Sequence, residues 1–510
     1  MSPYELTALL PEFILTLTAV ALMLLGAFGK QGSGRWSSTV ALVGLFGATE
    51  ALIYGRSVSG MAFGGMFSVD PFGRYFSLLF FLIAALATLA SVDYIRRERL
   101  AAGEYYALLL FATVGMDLMA SGNELILIFI GLEISSLSSY VLVGFRREVP
   151  NSSEAALKYF LLGSFATAFL LYGIALLFGV TGSTRLTQIR AVLHGGEHSI
   201  SASATTIGRL AEATVRPVQL SWQEAGFPNE LLGLATALIF VGLAFKISAA
   251  PFQAWTPDVY QGAPAPIAGF LSTGPKAAAF AAFLRIFMYS LPASAEQWSM
   301  LLWASALLTM FIGNLAAMWQ SNLKRLLAYS SIAHAGYMLV AFTAHSADGI
   351  AAILFYLAAY AFMNIGAFVV VSHMAGRGER YLELDDYAGL GYRAPALAAC
   401  LSIFLLSLIG IPLTAGFLAK FYVFRAALHA DLIWLTVLGV LNSAIASYYY
   451  LRILVSMYMQ TPPVEVPVER PGAATQGVLA LCALATFILG IFPQTALRLV
   501  LRAAQWFPQG

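Results

Sequence analysis

The feature that most constrains this chain is a succession of apolar runs of about 20 residues, separated mostly by short polar connections. A helix of about 20 apolar residues spans the hydrocarbon core of a bilayer. Only 11% of the residues are charged, whereas a soluble domain has about 25%. The sequence therefore predicts an all-α polytopic membrane protein. Its net charge of +2 gives no indication of nucleic-acid binding.

Fourteen runs are predicted to cross the membrane. They cover residues 11–28, 37–54, 73–92, 104–121, 123–144, 154–180, 231–250, 265–290, 298–319, 323–345, 349–374, 395–424, 430–457 and 474–493. We expect the seventh and twelfth to be discontinuous, because Pro251 and Pro412 each remove a backbone donor and clash with the preceding turn. The first run lacks the preceding basic residue of a signal peptide, so we expect it to stay in the membrane.

Basic residues in short loops indicate the orientation. The odd-numbered connections carry most of them, including Lys30 and Lys324, whereas the even short ones hold only Arg56, Arg74 and Arg425. The odd connections are therefore predicted to be on the inner side, with both termini outside. The long polar connection over residues 181–230 contains no recognisable chemical motif.

Most of the lysines fall within predicted spans, namely Lys158, Lys246, Lys276 and Lys420. A lysine at the centre of a transmembrane helix costs roughly 2.5–3.5 kcal/mol on insertion scales. We therefore expect these side chains to face water, a carboxylate or each other. Buried lysines that lie near one another could exchange protons.

Lys246 precedes Pro251 by five residues in the first broken span. Unwound backbone at membrane depth is tolerated only in protein or beside a cavity, which favours function over a lysine that snorkels to the interface. Glu133, near the middle of its span, is the candidate counter-charge. The alternative is a structural carboxylate bonded to serines such as Ser136.

Three further charged or polar groups lie in the second half of the chain. Lys276 follows a Gly-Pro pair, Lys420 follows the break at Pro412, and His334 lies mid-span. Histidine changes charge near neutral pH, so His334 between two lysines is a candidate proton relay. Taken alone, it is equally consistent with a packing role.

Other charged positions have simpler explanations. Lys158 follows Glu154 by four residues, a spacing that forms an ordinary helical ion pair, although it could also modulate Glu133. Asp117 and Glu50 lie nearer the outer ends of their spans, and we expect both to be exposed there.

The two broken spans indicate an internal repeat. Their offset is five spans, and an odd offset reverses the direction of crossing, which predicts two inverted five-helix repeats with sites near the midplane. The predicted division is residues 1–103 for three N-terminal helices, 104–290 and 298–457 for the repeats, and 458–510 for a last helix and an interfacial segment.

Three segments carry a family resemblance: KISAAPFQAWTPDVYQGAP from Lys246, NLKRLLAYSSIAHAGYML from Asn322 and LIGIPLTAGFLAKFYVF from Leu408. Together they resemble the proton-conducting antiporter-type subunits of respiratory complex I and their cation/proton antiporter relatives, over roughly residues 105–455. Within this family the chain is most similar to the N-type subunits. L-type subunits have a long lateral helix, and M-type subunits have glutamate at the position of Lys420.

The resemblance implies a role for each matching residue. Glu133 and Lys246 would form the pair of the inner half-channel, and Lys276 would be the central relay. His334 would lie on the polar axis, and Lys420 would serve the outer half-channel.

The chain has no Fe–S cysteine set and no GxGxxG beside a strand, so we expect no cofactor or metal on it. The resemblance implies NADH, FMN, Fe–S clusters and quinone in partner subunits of a plasma-membrane complex. The partners would include an antiporter-like M-type subunit, small K- and J-type subunits, and membrane lipid. Two alternatives stay open: a subunit of a multisubunit Na⁺/H⁺ antiporter, and a structural subunit that does not conduct.

Overall fold

A computed structural model describes residues 3–28, 34–194, 229–461 and 468–507. Within these ranges the regular structure is helical, as predicted, apart from one ribbon that pairs β1 (Gly60–Ala62) with β2 (Phe67–Val69) in antiparallel fashion. The helices are α1 (Pro3–Ala8), α2 (Leu10–Phe28), α3 (Gly34–Tyr54), α4 (Pro71–Glu98), α5 (Ala102–Ser121), α6 (Leu125–Val143), α7 (Pro150–Thr181), α8 (Leu186–Leu193), α9 (Asn229–Ile247), α10 (Trp255–Gly262), α11 (Ala265–Phe283), α12 (Ala295–Met318), α13 (Leu323–Thr343), α14 (Ala347–Met374), α15 (Leu390–Arg393), α16 (Pro395–Ile409), α17 (Ala415–His429), α18 (Ile433–Met459), α19 (Ala473–Ile491) and α20 (Gln494–Ala504).

Among the described residues, 12 helices are long and apolar enough to cross a membrane. The predicted span 104–121 is α5, which packs against α2, α4 and α6 but is not among the 12. The predicted span 395–424 consists of two 15-residue helices, α16 and α17. The seventh span likewise ends at Ile247 and resumes as α10. The predicted discontinuity of both spans is therefore confirmed.

Three helices form the centre of the bundle. The apolar windows of α11, α13 and α14 are 94%, 94% and 89% buried, against 28% for α2 and α19. A helix that is apolar all round is buried on all sides, so polar groups on these helices are shielded from lipid. Lys276 and His334 belong to this central group.

Small residues let the helix that carries Glu133 approach its neighbour closely. A Cβ atom added to Gly115 on α5 would lie 2.5 Å from the Ser135 amide nitrogen on α6, and one added to Gly131 would lie 2.7 Å from the Gly115 carbonyl. Small residues at such crossings allow backbones to meet in membranes. α6 is therefore fixed tightly against α5.

The terminal segment folds back onto the bundle. α20 packs against α4 and α14, and Trp506 stacks on Tyr289 with ring centroids 4.8 Å apart. Of the long connection predicted over 181–230, residues 195–228 lie outside the described residues, and so does Lys30.

Candidate functional site

The first helix break is held open by hydroxyl groups. After α9 the backbone turns through Ser248 in the left-handed region, with φ 64°. The Ala250 amide donates to Thr309 Oγ1 at 2.8 Å, and Ser305 Oγ donates to the Ala250 carbonyl at 2.9 Å. Buried backbone groups need such partners, so α12 supplies the hydrogen bonds that the broken helix lacks.

Lys246 points from the end of α9 towards α6. Its Nζ donates to Ser136 Oγ at 2.7 Å and to the Tyr140 hydroxyl at 3.3 Å. The ammonium also lies 5.2 Å and 5.6 Å from the ring centroids of Tyr140 and Tyr159. The residue is only 7% exposed, so the charge sits in a pocket of hydroxyls and aromatic faces.

Glu133 lies one helical turn from Ser136 on the same helix, but it makes no ion pair within 4.0 Å of Lys246. Its Oε1 is buried without a hydrogen-bond partner. Residues three apart are neighbours on a helix face. Lys246 therefore contacts Ser136 on α6, one helical turn from Glu133, and not Glu133 itself.

Lys276 lies in the middle of α11, directly after Pro275. Its Nζ donates to both the carbonyl and the hydroxyl of Ser331 on α13, at 2.6 Å and 2.5 Å. The residue is fully buried, and both of these partners are neutral. This lysine therefore resides between the two central helices without a carboxylate counter-ion among the described residues.

His334 lies one turn beyond Ser330 on α13 and is bracketed by two tyrosines. Its Nδ1 lies 2.7 Å from the Tyr356 hydroxyl and its Nε2 lies 3.2 Å from the Tyr450 hydroxyl. Tyr450 is in turn hydrogen-bonded to Ser330. Hydroxyl groups both donate and accept hydrogen bonds. The hydrogen-bonded series Tyr356, His334, Tyr450 and Ser330 can therefore carry a proton in either direction when the histidine changes tautomer.

Lys420 occupies the second helix break, on α17. Its Nζ donates to the carbonyls of Leu408 and Ile409 at 3.0 Å and 2.9 Å, and to Ser443 Oγ at 2.8 Å. It also lies 4.8 Å from the Tyr337 ring centroid. The last carbonyls of a helix have no partner within the helix, so this ammonium caps the C-terminus of α16.

A polar cluster that the sequence analysis missed surrounds Tyr337. Asn314 donates to the Tyr337 hydroxyl and to the Asn442 carbonyl, both at 3.1 Å, and Tyr449 donates to Asn314 Oδ1 at 3.1 Å. Asn442 is adjacent to the Ser443 that holds Lys420. An asparagine inside an apolar span was the available signal, because its amide needs partners in a membrane.

The structure does not bring Lys158 into this buried row. Its Nζ pairs with Glu154 Oε1 at 2.8 Å and with Asp258 Oδ2 at 3.0 Å, and 43% of its side chain is exposed. The i,i+4 pair expected from the sequence is therefore present. Arg325 also pairs with Asp258, at 2.6 Å, so Asp258 joins α7, α10 and α13.

Lys324, expected in or beside an inner loop, is fully buried at the start of α13. Its Nζ pairs with Glu379 Oε2 at 2.8 Å and donates to the Ala263 carbonyl at 2.5 Å. Glu379 also pairs with Arg146 at 3.2 Å and accepts from the Ala265 amide at 2.8 Å. Burial opposes the ionisation of Glu379, but Lys324, Arg146 and the amide outweigh it and hold its pKa below the usual value.

Two acidic positions differ in environment. Glu50 is exposed, as expected. The expectation that Asp117 is exposed is wrong: it is 1% exposed and accepts from Ser77 Oγ at 2.6 Å. The position of Asp117 along α5 predicted its depth in the membrane but not the direction of its side chain, which points into the bundle and contacts Ser77 on α4.

A buried arginine also escaped the sequence analysis. Arg285, in the π-helical segment Leu284–Ser290 that follows α11, pairs with Asp70 at 2.8 Å and donates to the Ala120 carbonyl. Its guanidinium lies 4.7 Å from the Trp506 ring. Arg285 was visible in the sequence as a charged residue within an apolar run. Its ion pair and hydrogen bond indicate a structural role.

The site is therefore a row of buried titratable side chains on α9, α11, α13 and α17. Each lysine of the row contacts neutral oxygens, so loss of its proton leaves no carboxylate without its ion-pair partner. The described residues contain no group of three or more His, Cys, Asp or Glu that could hold a metal ion. Broken helices with buried charged groups at membrane depth are typical of one class of protein, the antiporter-type membrane subunits that translocate ions.

Comparison with known proteins gives the particular family. A family model described as NADH:quinone oxidoreductase/Mrp antiporter, TM, matches residues 122–446. NADH-quinone oxidoreductase subunit N 1 of Solibacter usitatus is 49% identical over 504 residues, which cover 99% of this chain and 98% of the relative. The chain belongs to the NADH-quinone oxidoreductase subunit N family.

Two solved structures are similar to the fold. A chain of respiratory complex I from Thermus thermophilus superimposes with a TM-score of 0.76 at 34% identity, covering 96% of this chain and 98% of that one. A chain of the Mrp complex from Dietzia sp. superimposes with a TM-score of 0.82 at 20% identity, covering 99% and 98%. The second likeness concerns the fold alone.

Proposed function

We propose that this chain translocates protons as the N-type membrane subunit of a NADH:quinone oxidoreductase. The observation that carries the proposal is the row of three buried lysines, Lys246, Lys276 and Lys420, each bound to neutral oxygens. A buried lysine with neutral partners can exist in either protonation state at moderate cost, because no ion pair breaks when it is deprotonated. Arginine in the same places would be permanently charged.

Each member of the row has a role in this proposal. Lys246, with Glu133 nearby, takes up protons from the inner side, and Lys276 is the central relay. His334 and its tyrosines connect the central helices, and Lys420 delivers protons towards the outer side. Lys158 contributes only indirectly, through Glu154 and Asp258, because it is half exposed and apart from the row.

Glu133 is the switch in this mechanism. A negative carboxylate near Lys246 favours the charged lysine, and the uncompensated Glu133 Oε1 leaves that carboxylate free to respond to a neighbouring subunit. When the influence of Glu133 is withdrawn, Lys246 holds its proton less tightly and transfer towards Lys276 becomes favourable. The sequence contains no Fe–S cysteine set, so in this proposal redox chemistry in other subunits supplies the energy.

The proposed setting follows from the family. The relatives are named subunits of NADH-quinone oxidoreductase, so NADH, FMN, Fe–S clusters and quinone would be bound by other subunits. M-type, K-type and J-type membrane subunits would be neighbours in the plasma membrane, with both termini of this chain outside. Residues 104–290 and 298–457 would be the two inverted repeats, since each contains one broken helix with a buried lysine.

The test is a pair of substitutions at Lys246 in the assembled complex, reconstituted into vesicles. Lys246→Ala removes the proton carrier, and Lys246→Arg keeps the charge but cannot release its proton. We expect both to reduce NADH-driven proton pumping per NADH oxidised. Normal pumping in both variants would refute the relay assignment, and recovery in the arginine variant would show that only the charge matters.

A second candidate function is supported by the shared family model and by the fold of the Mrp chain: a subunit of a multisubunit Na⁺/H⁺ antiporter. Sodium-dependent pH changes in vesicles would favour it, whereas copurification with flavin and Fe–S subunits would favour the oxidoreductase. A third reading is a coupling subunit that does not conduct. A Lys420→Ala variant that assembles and pumps normally would favour that reading.

A further inference from the structure

Asn314 on α12 is a neutral residue outside the lysine row, but it contacts the surroundings of Lys420 from two sides. Its Nδ2 lies 3.1 Å from the Tyr337 hydroxyl on α13 and 3.1 Å from the Asn442 carbonyl on α18. Asn314, Tyr337 and Asn442 are all fully buried. A polar side chain in a membrane helix needs partners within the protein, so these contacts fix how α12, α13 and α18 meet.

Both contacts of Asn314 lead to the ammonium of Lys420. Lys420 Nζ lies 4.8 Å from the Tyr337 ring centroid and donates to Ser443 Oγ at 2.8 Å. Ser443 directly follows Asn442 on α18. Asn314 therefore holds two groups that contact this ammonium from outside the broken span, Tyr337 directly and Ser443 through its neighbour in the chain.

The direction of these hydrogen bonds is fixed by atoms that can act in only one way. Asn442 Nδ2 donates to the Leu438 carbonyl at 3.0 Å, and Asn442 Oδ1 lies 3.4 Å from Asn314 Nδ2. Carbonyl oxygens only accept hydrogen bonds, so the amide nitrogen of Asn314, rather than its oxygen, must face Asn442. An amide nitrogen only donates, and the Tyr337 hydroxyl beside it must therefore be the acceptor.

The amide oxygen of Asn314 has a different partner on its other side. The Tyr449 hydroxyl donates to Asn314 Oδ1 at 3.1 Å, and the Tyr449 ring packs against the Tyr450 ring with centroids 4.3 Å apart. Tyr450 is the residue whose hydroxyl lies beside His334 Nε2. Position 314 thus requires a side chain that donates towards α18 and Tyr337 and accepts from Tyr449. An ionised carboxylate of the same size could not donate, and an aliphatic side chain could do neither.

We propose that Asn314 is a positioning residue for Lys420, which holds Tyr337 and Ser443 around the ammonium by donating hydrogen bonds to Tyr337 and Asn442. This inference rests on the proposed function, in which Lys420 delivers protons towards the outer side. Asn314 carries no proton itself, because an amide does not titrate. It acts on the place of the ammonium, and proton transfer depends on hydrogen-bond reach between donor and acceptor.

The test is NADH-driven proton pumping per NADH oxidised by the assembled complex in vesicles, with two substitutions of Asn314. Asn314→Leu removes donor and acceptor at similar volume, and we expect a partial loss of pumping. Asn314→Asp is nearly isosteric; its protonated form can donate, whereas its ionised form can only accept. Pumping by Asn314→Asp, divided by that of the wild type at the same pH, should therefore fall as the pH rises. A role in packing alone would leave this ratio independent of pH.

The control is Asn123→Asp, at a buried asparagine that donates to the Gly65 carbonyl at 2.8 Å and has no contact with the lysine row. Its pumping ratio should stay near one at every pH, and thermal unfolding reports whether each variant is folded. Normal pumping by Asn314→Leu would overturn the proposal, as would a ratio for Asn314→Asp that rises with pH. Lys246→Ala, measured in parallel, tests the proposed function itself. Reduced pumping in that variant with normal pumping in Asn314→Leu would refute the positioning role alone.

Discussion

The ammonium of Lys420 donates to the carbonyl of Ile409 at 2.9 Å, across a break of the helix to which both residues were expected to belong. The N-terminal half of that span ends in a left-handed residue, Gly410 with φ 96°. A positive charge is favourable at a helix C-terminus, because the helix dipole places partial negative charge there. Protonation of Lys420 and the geometry of the break are therefore coupled.

This coupling predicts different results for two substitutions of Lys420. Lys420→Met should reduce pumping and also weaken the break, since the carbonyls of Leu408 and Ile409 lose their donor. Lys420→Arg should retain the cap and the stability but still block proton release. Proton pumping per NADH and thermal unfolding of the complex measure the two effects separately. Full pumping by the arginine variant would contradict a relay role.

The partner of Lys276 gives a second prediction. Ser331→Ala removes the hydroxyl at 2.5 Å but keeps the backbone carbonyl at 2.6 Å. We expect partial loss of pumping, with a stability change of about 1 kcal/mol for one hydrogen bond. Lys276→Arg should abolish pumping while leaving NADH oxidation by soluble subunits intact. Ser299→Ala on α12, distant in sequence and partly exposed, serves as a matched serine control.

The two tyrosines around His334 give a third prediction. Tyr450→Phe breaks the connection from His334 Nε2 to Ser330, whereas Tyr356→Phe removes the partner of Nδ1. If the proton passes through the ring, either change should slow pumping, because a phenyl ring cannot exchange protons. Turnover-normalised pumping rates measure this. An effect of Tyr450→Phe on stability alone would limit His334 to a packing role.

The Glu379–Lys324 pair predicts a stability change with a defined pH dependence. Glu379→Gln breaks a buried ion pair, which costs about 3–5 kcal/mol. Because the pKa of Glu379 is lowered in the folded state, its contribution is complete above the unfolded value of about 4.3 and is lost as pH falls through the folded pKa. The difference from wild type should therefore be constant from pH 8 down to about pH 5.

The control for that experiment is Asp385→Asn, at an exposed acid in the same connection. It should change the unfolding temperature little, as is usual for exposed charges. An equally large effect in the control would assign the loss to general charge removal. A difference that disappears well above pH 5 would show that Glu379 does not have a lowered pKa.

The sequence predicted much of this arrangement because single charged residues or prolines stand out within the apolar runs of a membrane protein. Apolar runs about 20 residues long predicted the helices, and the prolines at 251 and 412 predicted both breaks. Charged side chains cost free energy in apolar membrane segments. For this reason the sequence analysis singled out Lys246, Lys276, His334 and Lys420. The family was equally legible, through the motif around Trp255.

The hydrogen-bond partners of these residues could not be predicted from the sequence, because they depend on the direction of each side chain and on the residues that a distant helix places beside it. The tertiary fold placed Ser136, rather than Glu133, against Lys246, and it added Tyr356 and Tyr450 on either side of His334. The side chain of Asp117 points into the bundle, although its position near the outer end of its span predicted exposure to water.

The sequence by itself determined that the chain lies in a membrane, where its helices break and which titratable residues lie within its spans, because each of these features is set by a short stretch of residues. Only the tertiary structure decided the partners. Ser331 and Ile409 hold their lysines through contacts between helices that are far apart in the chain, or through backbone carbonyls that no side-chain pattern reveals. Hydrogen bonds require geometry within a few tenths of an ångström, and only packing of the whole bundle fixes distances so closely.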